Sequence, residues 1–177
     1  MCLGSLSSDN FTNIYLGREG LSDELSCPKP HTELWLDFAE GLGLSRMAVA
    51  YAAPRPAAVH MVDTFDRLTR TETIAAVAAL YAYESQQPEV SRQKVDGLRR
   101  HYGVDSPHAL AYFDVHAEAD IHHCQGERQA LARCLATGAP PELMFESAQD
   151  ALDAYWGLLD GICKEAALLG GSLSDSN

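Results

Sequence analysis

One stretch, Ala109–His123 (ALAYFDVHAEADIHH), constrains the fold of this chain more than any other. His116, Asp120 and His123 stand at i, i+4 and i+7, so a helix projects all three from one face. Apolar Ala109, Phe113 and Leu131 flank that face, which points it inward. Two imidazoles and a carboxylate on a buried face cost free energy unless something satisfies them, and a metal ion does so. The ligand types suit iron or manganese. On spacing alone the other reading stays open: histidine pairs on helices are often solvent-exposed, and Asp120 then pairs with a neighbouring base.

The rest of the chain reads as helices. Thr32–Leu44 sets Leu34, Trp35, Phe38 and Leu42 at helical spacing. The Pro-containing break AAPRP separates it from Ala57–Thr69, where Val59, Val62, Phe65 and Leu68 share a face. Thr71–Gln86 is Ala-rich, with Ile74, Val77, Leu80 and Tyr81 as its inward stripe. Pro88 suits the first turn of a further helix with Val90, Val95 and Leu98 inward, and Tyr102-Gly103 ends it. Ser106-Pro107 opens a helix that runs to about Ala136, with Gly126 a candidate kink, before Thr-Gly-Ala-Pro-Pro stops it. The last helix spans Phe145–Leu168, with Ala148, Leu152, Tyr155, Trp156, Leu159 and Ile162 inward. Nothing alternates as strands do. The expected fold class is all-α, a helical bundle of one domain. Residues 1–21 read as an irregular segment, 22–169 as a helical metal-binding domain and 170–177 as a disordered tail.

Composition narrows the partners. The net charge of -12 disfavours nucleic acid and anionic lipid, because both would repel the chain. Five cysteines (Cys2, Cys27, Cys124, Cys134, Cys163) are an odd number without a CxxC pair, which fits a reducing compartment. No signal peptide and no apolar run long enough to span a bilayer is apparent, so a cytoplasmic location is expected.

A bundle that holds two metals draws ligands from several helices. Glu84, in LYAYESQ, lies on an otherwise apolar helix and reads either as a ligand or as a helix-end glutamate facing water. Glu24 and His31 precede and open the first helix. From the residues alone they read as a solvated loop glutamate and an N-cap histidine.

Taken in order and with their spacing, HTELWLDFAEGLGL, LYAYESQQPEVSRQKVDGL and YFDVHAEADIHH resemble the haem-oxygenase-like di-iron oxidases. Within that TenA/PqqC superfamily the likeness is to the CADD-like branch, that of the chlamydial death-domain-associating protein. It covers about residues 22–168. The resemblance implies a haem-oxygenase-like bundle holding two Fe ions, or an Fe/Mn pair, with molecular oxygen as co-substrate. Its metal ligands fall on Glu24, His31, Glu84, His116, Asp120 and His123. The branch is implicated in making p-aminobenzoate for folate. There a tyrosine of the protein itself is consumed and a lysine supplies the amino group. The lysine matches Lys94, and Tyr83 matches a tyrosine near the metals; from the residues alone they read as a surface lysine and a core aromatic.

Members of the branch carry a further helical region ahead of the matched segment. The resemblance therefore implies an N-terminally shortened bundle, although Tyr15 is present, and a homodimer that covers the exposed core surface. Two other functions stand beside the p-aminobenzoate reading: a non-catalytic interaction or regulatory protein, and a di-iron oxidase of a free amino acid or fatty acid. A thiaminase-type cysteine does not fall in place, no nucleophile elbow supports a hydrolase, and the acidic ligand set disfavours haem.

Overall fold

The computed structural model describes residues 29–174, with side chains through Leu168. Seven α-helices follow one another: α1 His31–Gly41, α2 Arg46–Ala50, α3 Pro56–Thr69, α4 Thr73–Glu84, α5 Gln87–Gly97, α6 Pro107–Ala136 and α7 Pro141–Ser174. A wide π-type turn, Leu98–Tyr102, extends α5. No strand occurs among the described residues, so the all-α expectation holds. Nor is any of these helices long and apolar enough to cross a membrane.

Local chemistry accounts for the helix ends. Pro56 opens α3 from its first position, where its missing N–H costs no hydrogen bond. Glu33 and Glu142 sit in the first turns of α1 and α7, against the positive end of the helix dipole. Gly103 and Gly138, with φ of 66° and 89°, end the segments before them in the left-handed region that other residues avoid.

The described chain groups into two compact units. One joins the residues up to Ala53 with Glu84–Gln129; the other joins Pro54–Tyr83 with the residues from Ala130 onward. In the first, Val95, Val104, Ala109, Leu110 and Phe113 form the core, with Phe38, Leu98 and Tyr112 packed on it. Here α1 and α6 run antiparallel: Phe38 meets Phe113 edge-on at 5.0 Å, while His31 meets His116 at 4.7 Å further along. In the second unit, Met61, Phe65 and Leu68 of α3 pack with Ala79, Ala151, Ala154 and Tyr155, and Tyr83 lies against them. Ser147 donates a buried hydrogen bond of 2.6 Å to the Ala75 carbonyl, satisfying a hydroxyl that burial would otherwise penalise.

Several expectations are corrected. Trp35, Leu42, Val59, Trp156 and Ile162 are exposed rather than inward. The cause on α3 and α7 is a rotated face: Met61 and the small Ala151 and Ala154 occupy the core, which displaces Val59 and Trp156 to the flank. The short helix α2, between the expected Thr32–Leu44 helix and the AAPRP break, is assigned to no element by the sequence reading; Ser45 caps it, its Oγ accepting from the Ala48 N–H at 3.0 Å. Helix α6 continues through Gly126. Helix α7 starts at Pro141 and passes Leu168 into the tail read as disordered, ending at Ser174, because extending a formed helix costs far less than nucleating one.

Candidate metal centre

Helix α6 presents its chemistry along a single stripe. Phe113, Ala117, Asp120, Glu127 and Ala130 are buried in sequence, with His116 and His123 half-buried between them, while Asp114, Glu118, Ile121 and His122 face water. The 3.6-residue period alone produces this sorting.

Three groups meet at one spot. His123 Nδ1 lies 3.2 Å from Glu84 Oε2 and 3.2 Å from Asp120 Oδ1. Glu84 is the last residue of α4, which brings a carboxylate from a second helix to the stripe. One donor atom from each of Glu84, Asp120 and His123 falls within 4.8 Å of the others, a spacing that suits a shared cation. The contacts to His123 are close enough for ion pairing but poorly aligned for hydrogen bonds, so Nδ1 keeps no well-directed partner. Burial disfavours the charged ring. The Asp120 and Glu84 carboxylates outweigh that cost and raise its pKa to about 10.

The same stripe of α6 carries a further buried carboxylate that the sequence reading does not single out. Glu127, one turn beyond His123, is only 3% exposed. Burial, followed by the charge of Glu84, pushes its carboxyl up to about 9. Its spacing carries the signal, since 116, 120, 123 and 127 continue one helical row.

Orphaned atoms give the fit test for a metal. Four buried side-chain N and O atoms lack a hydrogen-bond partner among the described residues, and three of them are Asp120 Oδ2, His123 Nδ1 and Glu127 Oε2. An isolated gap of this kind costs about 1–3 kcal/mol, and folded proteins seldom cluster them. Oxygen and imidazole donors converging without partners suit iron or manganese.

His31 and His116 form a second pair. The His116 Nδ1–H donates to the Tyr112 carbonyl at 2.6 Å, which leaves the Nε2 lone pair for a cation. The ring is held between Tyr112, at 4.2 Å, and His31, at 4.7 Å. His31 is not an N-cap, because Pro30 holds that position. Glu24 lies outside the described residues.

Lys94 and Tyr83 have surroundings of their own. Lys94 Nζ stands 5.8 Å from the Phe113 ring centroid, at an open, solvent-facing cavity of about 340 Å³ lined by Trp35, Phe38, Leu98, Tyr102 and Phe113. Desolvation lowers the pKa of its ammonium. Tyr83 packs edge-on between Phe65 at 5.7 Å and Tyr155 at 5.2 Å. Cys124 is no nucleophile: burial, then Glu127, raises its thiol to about 12. A further acidic group, Asp37, Glu40 and His108, already has cations from the chain itself, since Lys29 and Arg46 pair with Asp37.

Comparison with known proteins points to an iron-containing family. A family model described as iron-containing redox enzyme, of haem-oxygenase type, matches residues 19–156. The chain is 39% identical over 142 residues to the 4-aminobenzoate synthase of Chlamydia pneumoniae, covering 80% of this chain and 62% of that protein. It is 35% identical over 145 residues to the 4-aminobenzoate synthase of Nitrosomonas europaea, covering 81% and 59%. A pyrroloquinoline-quinone synthase of Gluconobacter oxydans is 35% identical over 80 residues, covering 45% and 34%. The chain thus spans about three-fifths of the length of the 4-aminobenzoate synthases it matches.

Proposed function

Because the chain belongs to the haem-oxygenase-like family of iron-containing redox enzymes, we propose that its centre holds two iron ions and serves an oxygen-dependent synthesis of 4-aminobenzoate. The observation that carries the metal part is the convergence of Glu84, Asp120 and His123, with buried donor atoms left unsatisfied. His116, one turn before Asp120 on the same row of α6, keeps its Nε2 lone pair, and His31 stands against its ring. Iron bound there supplies the electron transfer to oxygen that no side chain alone provides.

The protein's own groups do the rest. Glu84 and Asp120 offset cationic charge and can bind through one oxygen or two. Phe113, Ala117 and Ala130 line the buried side of the stripe and keep its dielectric low, which strengthens every charge interaction there.

The product named for the relatives joins an aromatic ring to an amine, and the Lys94 cavity has the chemistry for both. Its aromatic walls suit a planar ring. Lys94 is exposed as a residue, but the aromatic side chains around its ammonium shield that group from part of its water and lower its pKa, and only the neutral amine has a lone pair with which to donate nitrogen. We assign Lys94 as the amine source. Tyr83, next to Glu84 in the chain, is our candidate for the aryl source, supported by that adjacency and by the resemblance of YAYESQ to the family motif.

The deciding experiment is anaerobic loading with Fe(II), followed by metal analysis and exposure to oxygen. The expected result is about two irons per chain, oxygen uptake and 4-aminobenzoate detected by mass spectrometry. Protein that stays iron-free overturns the enzyme reading in favour of an interaction protein. Oxygen uptake without 4-aminobenzoate points instead to oxidation of another small molecule.

A further inference from the structure

Glu127 is a buried carboxylate on the row of Asp120 and His123 that the six family-matched positions do not include. It sits one turn past His123 and two past Asp120, on the same row of α6, with its side chain almost wholly enclosed. Its Oε2 has no hydrogen-bond partner among the described residues, and neither does Asp120 Oδ2. Glu84 lies close enough to act on Glu127 both as a charge and as a hydrogen-bonding partner. Like-charged carboxylates crowded into a dry site repel, and each forfeits hydration worth several kcal/mol. An apolar residue at 127 would avoid that cost, and the neighbouring row positions Ala117, Ala130 and Leu131 show the core accepting apolar side chains.

We propose that Glu127 is a further metal-binding carboxylate, donating an oxygen to the same centre as Glu84, Asp120 and His123. Two Fe(II) ions bring four positive charges, while Glu84 and Asp120 together supply two negative ones. Glu127 supplies a third from within the described residues. Its unpartnered oxygen then has a bonded partner, and its nearness to Glu84 becomes a shared interest in one cation rather than a repulsion. The proposal rests on the reading that this centre holds iron, and it adds a donor to it.

Co(II) is a suitable probe, since its visible d–d bands report the number and type of its ligands and it takes no part in oxygen turnover. Anaerobic titration of the wild type, Glu127→Gln and Glu127→Ala against a competing chelator gives both affinity and spectrum. If Glu127 binds metal, both variants lose at least tenfold in Co(II) affinity, the lower end of what even an outer-shell partner is worth, and their bands shift alike. If Glu127 only orients Glu84 through a hydrogen bond, Gln preserves that contact and E127Q matches the wild type; that result overturns the proposal and leaves the iron reading intact. Wild-type protein that takes up no Co(II) overturns both. Circular dichroism of each metal-free variant separates a lost ligand from a lost fold, and either variant alone suffices, because a wild-type spectrum in either one rules out the ligand role.

Discussion

His123 Nδ1 lies 3.2 Å from Glu84 Oε2, although the two stand 39 positions apart in the chain. One sits on α6 and the other ends α4, so the contact depends on two helices being placed together rather than on local spacing. The contact is poorly aligned for a hydrogen bond, and the Glu84 and His123 side chains are only 15% and 23% exposed. Removing either donor therefore predicts a loss of metal with little loss of fold. We expect Glu84→Gln and His123→Ala each to lower iron affinity by more than the ~10–100-fold seen for outer-shell changes, with oxygen uptake falling in step. Metal analysis after anaerobic loading checks it, and wild-type loading in both variants would mean the ions bind elsewhere.

Lys94 predicts the opposite separation. It lies in the aromatic cavity, not in the cluster of donors, so Lys94→Ala keeps its iron and loses 4-aminobenzoate. Lys94→Arg restores the positive charge but not the amine, because guanidinium stays protonated at any accessible pH. It is expected to remain as inactive as the alanine variant. Product formation by either variant at more than a tenth of the wild-type rate would remove the lysine from the chemistry.

How much of this was legible beforehand follows from where the information sits. The i, i+4, i+7 row of His116, Asp120 and His123 is local, and any helix places those groups together. Glu84 needed a tertiary contact, and only its position on an apolar helix hinted at one. Glu127 was passed over although the same period reaches it, because Gln125, Glu127 and Arg128 make that turn read as a solvated face. Trp35 and Trp156 misled in the reverse direction. Large apolar residues were read as core, whereas the interior of α7 is lined by Ala151 and Ala154, whose small size permits close packing. Helix existence was legible almost throughout. Helix ends and the hidden short helix α2 depended on caps such as Ser45, which the run of alanines and prolines around it obscured.

Asp37 predicts how the fold responds to acid. It is 2% exposed and paired with Lys29 and with Arg46, whose Nη1 lies 2.7 Å from Oδ1; His108 Nε2 stands 3.5 Å away. The Lys29 hydrogen bond, helped by Arg46 and the charge of His108, outweighs burial and holds the carboxyl below its ordinary value of 3.8. A lowered carboxylate pKa adds stability that is full above the unfolded value and disappears as pH falls through the folded one. The contribution of Asp37 is therefore constant at neutral pH and is lost below about pH 3.8. Asp37→Asn should cost roughly 1–3 kcal/mol at pH 7, since it removes charged hydrogen bonds, and should flatten the decline below pH 4. Denaturant melts at pH 7, 4 and 3 measure both; an equal decline in wild type and variant would assign the acid sensitivity to other carboxylates.

Two glycines in helices predict opposite outcomes from one substitution. A Cβ added at Gly41 would stand 2.3 Å from Ala109 Cβ and 3.3 Å from Ala109 Cα. Both atoms are fixed to helix backbone, so nothing flexible can give way, and α1 must lift from α6. Added volume in a filled contact costs about 1–3 kcal/mol, which exceeds the ~0.5–1 kcal/mol that alanine ordinarily gains over glycine in a helix. Gly97, at the end of α5, has nothing within 4 Å of such a Cβ, so there the helix gain stands by itself. Gly41→Ala should thus lower the melting temperature by a few degrees and Gly97→Ala raise it slightly, at about 2–4 °C per kcal/mol for a chain of this size. The contrast matters for the metal centre, because the same α1–α6 packing sets Phe38 on Phe113 and His31 on His116. If G41A proved as stable as G97A, those helices would be further apart than the ring contacts require, and His31 would no longer stand beside His116.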